Sequence, residues 1–191
     1  ERTDFPEREK DLPRPISPYA VSKLTGEYYC QTFSATFALE TVSLRYFNVY
    51  GPRQDPMSEY AAVVPKFILS IMNNNSPEVH GDGKQARDFT YIDNVVGANL
   101  KAAVAPGIAG GVFNVACQQQ HTVMEIAQTI MDITGHNVQP EFSACRKGDV
   151  RYSLADISLV KKALGYKPQV GFEDGLRKTV EWFQKKTNRY S

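Results

Sequence analysis

SPYAVSK, residues 17–23, opens a stretch rich in aromatic residues that continues to Phe37, and its reading decides the fold. Ser17 followed by Pro18 is a helix start, with the serine as N-cap and the proline in the first turn. The helix then runs from Pro18 to about Ala38. It sets Tyr19 and Lys23 one turn apart on the same face. The pair alone is weak: with 10 Tyr and 12 Lys in 191 residues, chance gives about 0.6 Tyr-x-x-x-Lys matches (10 × 12/191). Its weight depends on what surrounds it.

The composition bounds the answer. The chain is 42% hydrophobic and 23% charged, enough for one domain or one and a half. Its 22 basic residues against 21 acidic ones give no field for nucleic acid or an anionic membrane, so any anionic ligand is held by local arginines. No apolar run approaches the roughly 18 residues of a membrane span. ERTDFPEREKDLPRP, at the N-terminus, is charged and broken by prolines, unlike a signal peptide. Cys30, Cys117 and Cys145 are odd in number and far apart, which predicts free thiols and a cytoplasmic location. The histidines lack ligand spacing to the cysteines, so no metal site is expected.

Beyond the first helix, TVSLRYFNVYG (41–51) reads as one β-branched and aromatic strand ended by Gly51-Pro52. YAAVVPKFILSIMNNN reads as a helix with an Asn-rich stop, and EVHGDGKQARDFTYI as two short strands around a glycine turn. DNVVGANLKAAVA is a helix capped by Asp93, and GVFNVA is another strand. TVMEIAQTIMDITG is a helix from Thr122 to Gly135. VQPEF is a strand, SLADISLVKKALGY a capped helix, and GFEDGLRKTVEWFQKK a terminal amphipathic helix. The alternation predicts an α/β fold.

Gly81-Asp82-Gly83 is the one glycine cluster resembling a dinucleotide fingerprint, and it fails the context test. It opens no helix, and Pro106 stands where an acidic residue would meet a ribose. A tight turn between strands is the better reading.

Four segments stand in order along the chain: SPYAVSKLTGE, LRYFNVYGPRQ, HGDGKQARDFTYIDNVV and RKGDVRYSLADISLVKKALGYKP. Together they resemble the extended short-chain dehydrogenase/reductase superfamily, and within it the nucleotide-sugar 4-epimerases of the UDP-glucose and UDP-N-acetylglucosamine type. The similarity covers the chain from about residue 7 onward. It implies the C-terminal part of a Rossmann-type protein, with the glycine-rich fingerprint and a catalytic Ser or Thr falling before residue 1. Residues 1–50 are then a remnant of the NAD-binding domain, and 51–191 mainly the nucleotide-sugar-binding domain, with about 88–116 returning to the first.

The resemblance also implies roles. Tyr19 is the acid–base at the sugar 4-hydroxyl, and Lys23 assists it and holds the nicotinamide ribose. A phenol is a poor base at neutral pH, and a neighbouring ammonium favours the phenolate. Tyr46 approaches the nicotinamide, and Asn48 bonds the sugar or diphosphate. Val63 offers a backbone N–H to the nucleotide, and His80 stacks near uracil. Arg87 and Arg146 grip the diphosphate, for which a planar guanidinium is suited. Asp149 accepts a ribose hydroxyl, and Ser153 leaves room beside the sugar 2-substituent, which favours N-acetylhexosamines as well as hexoses.

NAD is the implied cofactor, a UDP-sugar the substrate, and a homodimer through the Tyr19–Lys23 helix the assembly. A 4,6-dehydratase or decarboxylase of the same superfamily is the alternative chemistry. The absent glycine-rich turn leaves NAD without a pyrophosphate site, so the chain by itself is expected to be an incomplete, inactive part that holds no cofactor, and a non-catalytic nucleotide-sugar-binding fragment is the alternative of another class. TVSLRYF is expected inside a parallel sheet whose other strands are partly missing, leaving an edge open to association.

Overall fold

The computed structural model describes residues 5–57, 63–145 and 150–187. It has α/β architecture, with six helices and eight short strands among the described residues. The first helix, α1 (Pro18–Phe37), starts as its sequence dictates: Ser17 Oγ accepts the Ala20 N–H at 3.1 Å, and Ala38 ends the helix in the left-handed region. None of its 20 residues is fully buried.

TVSLRYFNVYG is not one strand but two, β1 (Ser43–Tyr46) and β2 (Val49–Tyr50). The break has a local cause. Asn48 sits at φ +35°, a left-handed conformation that asparagine tolerates better than the residues around it. The chain therefore leaves one parallel pairing and enters another. β1 pairs with β6 (Val112–Val115), in register Leu44 to Phe113, and β2 pairs with β5 (Thr90–Tyr91). Among the described residues β1 has a neighbour on one side only.

The glycine turn also differs from expectation. β3 (Glu78–His80) and β4 (Ala86–Asp88) flank it without pairing to each other. β3 lies parallel to β8 (Glu141–Ser143), and β4 antiparallel to β7 (Gln120–Thr122), a strand with no clear alternation in sequence. Gln85 Nε2 donates to His80 O at 2.6 Å and Lys84 N to Asp82 Oδ1 at 3.0 Å, closing the turn internally.

Five further helices complete the fold. α2 spans Val63–Met72, α3 Ile92–Val104 and α4 Val123–Thr134. α5 spans Ser158–Leu164 and α6 Phe172–Thr187. α4 has the predicted ends: Thr122 and Glu125 form a reciprocal capping box, and Gly135 closes the helix at φ +74°. Asp93 is not the cap of α3. It lies inside the first turn, with Tyr91 at the cap position, where its charge meets the positive end of the helix. None of the described helices is long and apolar enough to cross a membrane.

Two hydrophobic cores form. α2, α4 and α6 enclose Val64, Ile68, Ile71, Ile126, Ile130, Leu176 and Val180 around Tyr50, whose hydroxyl donates to Phe172 O at 2.8 Å. Phe113 and Val115 of β6 pack with Val95 and Ala98 of α3 and Val160 and Leu164 of α5 in the other. Gly175 lets α6 approach the first core: an added Cβ would meet the Tyr50 hydroxyl and lie 2.8 Å and 2.9 Å from Tyr91 Cδ2 and Cγ. Alanine gains about 1 kcal/mol of helix propensity over glycine, but overpacking a closed core costs about 1–3 kcal/mol. Gly175→Ala is therefore expected to lower stability by up to about 2 kcal/mol in urea unfolding.

Candidate active site

The Tyr19–Lys23 pair stands in the opening turns of α1. The Lys23 ammonium lies 5.2 Å from the centroid of the Tyr19 ring, and Tyr19 is 61% exposed. The helix that carries them is tied to β1 by polar contacts. Arg45 forks onto Glu27, with Nε–Oε2 and Nη2–Oε1 both at 2.7 Å, and Thr41 Oγ1 donates to Cys30 O at 2.7 Å. Glu27 lies one turn beyond Lys23, on the same helix face as the pair. Its hydrogen bond to Arg45 raises the guanidinium above its ordinary value.

Asn48 and Ser153, 105 residues apart, are brought into contact. Asn48 Nδ2 donates to Ser153 Oγ at 3.1 Å and to Asp88 O at 3.0 Å. The Asp88 N–H donates to Ser153 Oγ at 3.4 Å, and Gln120 Nε2 donates to Ser153 O at 3.2 Å. Ser153 itself is buried. The hydroxyl that sequence treats as open space is thus an acceptor for two protein donors, and a tyrosine in its place would have to displace Asn48.

Arg87 follows Ala86 on β4, opposite His121 of β7, and its Nη1 donates to Ala86 O at 3.3 Å. His80, at the end of β3, has Nδ1 2.7 Å from Ser143 Oγ on the paired strand and 3.7 Å from Glu78 Oε1. Val63 begins α2. Tyr46 ends β1, and its hydroxyl donates to Asn99 Oδ1 at 3.0 Å. A cleft of about 370 Å³ between β1 and α3 includes Tyr46 and Asn99, but not Tyr19, Asn48 or Ser153. Arg146 and Asp149 lie outside the described residues.

Sequence reasoning missed Asp88. The side chain is fully buried and accepts backbone N–H groups of Cys117, Gln118 and Ala155. The QARDF motif marked the position, but burial of the acid is a tertiary property. Burial pushes the carboxyl up to about 6, against the lowering effect of those N–H donors. A raised native value means the native state holds a proton that the unfolded chain has already released between about pH 4 and 6. Its contribution to stability is fully present below about pH 4 and is lost as pH rises through 6, an effect on the order of 3 kcal/mol. Subtracting the Asp88→Asn profile from the unaltered one, by urea unfolding across pH 4–7, is expected to isolate a slope of that sign.

The Tyr19 and Lys23 donors suit the nicotinamide-ribose end of NAD, being exposed and adjacent. The pyrophosphate end has no such fit among the described glycine turns: an added Cβ at Gly83 would lie 2.6 Å from Met124 Cγ, and the turn is closed by its own side chains.

Comparison with known proteins decides the family. The model of the NAD dependent epimerase/dehydratase family matches residues 1–116. The chain belongs to that family. A UDP-glucose 4-epimerase of Mycolicibacterium smegmatis is 36% identical over 179 residues, 93% of this chain and 56% of that protein. The crystal structure of a UDP-glucose 4-epimerase of Thermotoga maritima, solved with UDP-glucose, superposes with a TM-score of 0.93 at 40% identity, over 98% of this chain and 60% of the other. A UDP-N-acetylglucosamine 4-epimerase of Methanobrevibacter ruminantium, in complex with UDP-N-acetylmuramic acid, gives 0.92 at 41% identity, over 97% and 59%. The chain thus spans little more than half the length of these relatives. Dehydratases and a decarboxylase are also among its relatives, and epimerases solved with NAD among the similar structures.

Proposed function

We propose that the protein interconverts UDP-sugars at C4, as a UDP-hexose or UDP-N-acetylhexosamine 4-epimerase. The observation that carries this reading is the Lys23 ammonium beside the exposed Tyr19 ring on a capped helix, in a chain of this family. Its nearest support is the similarity to two 4-epimerases, one solved with UDP-glucose.

When bound, NAD supplies a reversible two-electron acceptor for the sugar C4. The chain's own contribution is proton handling and orientation. Tyr19 Oη takes the proton of the 4-hydroxyl as C4 is oxidised to a ketone, and returns it once the keto sugar presents its other face. Lys23 assists from beside the phenol and holds the nicotinamide ribose, with the backbone near Tyr46 alongside. Asn48 and Ser153 meet the hexose. Arg87 and Arg146 hold the diphosphate, His80 stacks on the uracil, Val63 offers its backbone N–H, and Asp149 accepts a ribose hydroxyl.

Residues 1–50 and about 88–116 serve the NAD-binding domain in this reading, and the remainder of 51–191 the sugar nucleotide. That division accords with β1, β6 and α3 sharing one core and α2, α4 and α6 another, although α5 packs with the former. A cytoplasmic homodimer through α1 belongs to the same proposal. It is supported by the exposed Tyr28, Tyr29, Phe33 and Phe37 along that helix.

Product analysis tests the reaction class. UDP-glucose, UDP-N-acetylglucosamine and UDP-glucuronate are incubated with the protein and NAD, and the products are separated. In protein that also supplies an NAD pyrophosphate site, the C4 epimer of at least one is expected, with total UDP-sugar conserved, and none from the chain alone. A 4-keto-6-deoxy sugar or release of carbon dioxide would overturn the epimerase reading in favour of the dehydratase or decarboxylase alternative. Binding of UDP-sugar without any turnover would favour the non-catalytic one.

A further inference from the structure

The Asp88 carboxylate takes no part in the chemistry above, yet it is fully buried at the centre of the Asn48–Ser153 contact. Oδ1 accepts the Cys117 N–H at 3.0 Å, and Oδ2 accepts those of Gln118 at 3.0 Å and Ala155 at 3.3 Å. These donors belong to two separate segments, the loop that follows β6 and the extended stretch 153–155. The Asp88 backbone completes the knot: its N–H reaches Ser153 Oγ, and its carbonyl accepts Asn48 Nδ2. The titratable groups beside it are the Cys117 thiol, pushed up to about 11 by burial, and the Tyr166 phenol, also raised by burial. Neither offers a countercharge, so the carboxylate is held by oriented backbone dipoles.

We propose that Asp88 is a positioning residue for the hexose. Its carboxylate fixes the 153–155 stretch, and through Ser153 Oγ it fixes the Asn48 amide, while touching neither sugar nor nucleotide. The inference rests on the reading of Asn48 and Ser153 as sugar-binding residues. The physical reason is the cost of an unmet donor: without the carboxylate the buried Ala155 N–H and the part-buried N–H groups of Cys117 and Gln118 lose their acceptor, and the segment carrying Ser153 moves to satisfy them. Asn48, already at positive φ, then loses one of the two acceptors that orient its amide and keeps only the Asp88 carbonyl.

The test compares dissociation constants for UDP and UDP-glucose in the unaltered chain and in Asp88→Asn, Asp88→Ala and Ser153→Ala. The NMR exchange rate of the Asn48 side-chain amide protons is read in each. Expected in Asp88→Ala and Ser153→Ala is a shift of at least tenfold in the ratio of the two constants, against UDP-glucose, with UDP affinity changed less than twofold. Asp88→Asn, which keeps one acceptor, gives a smaller shift. Asn48 amide exchange accelerates in all three.

Parallel weakening of UDP and UDP-glucose would reveal a merely structural residue and overturn the proposal, as would no change in either. If Asp88→Ala does not fold, Asp88→Asn still decides. If the unaltered chain binds neither nucleotide, the proposed function fails for this chain. In that event the Asn48 amide alone judges the clasp: unchanged exchange in Asp88→Asn overturns it.

Discussion

Tyr19→Phe is expected to lower epimerisation by at least about a hundredfold, with UDP-sugar affinity and thermal stability little changed. General acid–base groups contribute typically about 10²–10⁴-fold, and the phenol hydroxyl is the group assigned to the 4-hydroxyl proton. The side chain is largely exposed, and what the replacement removes is a hydroxyl, so little packing is lost. Measuring kcat and KM separately checks the assignment: the loss should fall on kcat, because the interaction matters only as the proton moves. Lys23→Ala should lower kcat as well but also raise the apparent KM for NAD, because the ammonium is given two tasks.

Arg45→Ala carries the largest expected effect on stability, about 3 kcal/mol in urea unfolding. α1 buries no residue completely, so its seat on β1 depends on the Arg45–Glu27 fork. The Glu27 side chain is only 10% exposed, and truncating the arginine leaves its carboxylate desolvated without its two guanidinium donors. Removing one partner of a buried pair costs about 3–5 kcal/mol, and the 28% exposure of Arg45 places this case at the lower end. Replacing both residues with leucine should recover much of the loss. Hydrogen exchange should show α1 amides opening before the α2–α4–α6 core in Arg45→Ala, since that core does not depend on the fork.

The helices were legible in the sequence because their signals are local. Ser17-Pro18, Thr122 with Glu125, and Gly135 act within one turn, and no distant residue competes with them. Strand pairing was not legible. β4 finds β7 and β3 finds β8 across long separations, and nothing within EVHGDGKQARDFTYI says that its two strands ignore each other. The split of TVSLRYFNVYG turns on one backbone angle at Asn48, in a run whose side chains all favour a strand.

The candidate site shows the same division. Tyr19–Lys23 could be placed from helix spacing alone, and their adjacency follows directly. The contact between Asn48 and Ser153 depends on Asp88, a residue whose burial no spacing rule reveals. His80 was read as free to stack on a base. Its Nδ1 is engaged by Ser143 because β3 and β8 happen to align those two residues.

The central claim is that the sugar C4 is oxidised and then reduced again at the same carbon, with Tyr19 handling the proton. UDP-glucose carrying deuterium at C4 tests it most directly, with the product read by NMR and mass spectrometry. Epimerisation predicts UDP-galactose that keeps the deuterium at C4, formed at least about a hundredfold more slowly by Tyr19→Phe. Deuterium found at C6 or lost to water, or UDP-galactose formed as fast by Tyr19→Phe, would contradict it.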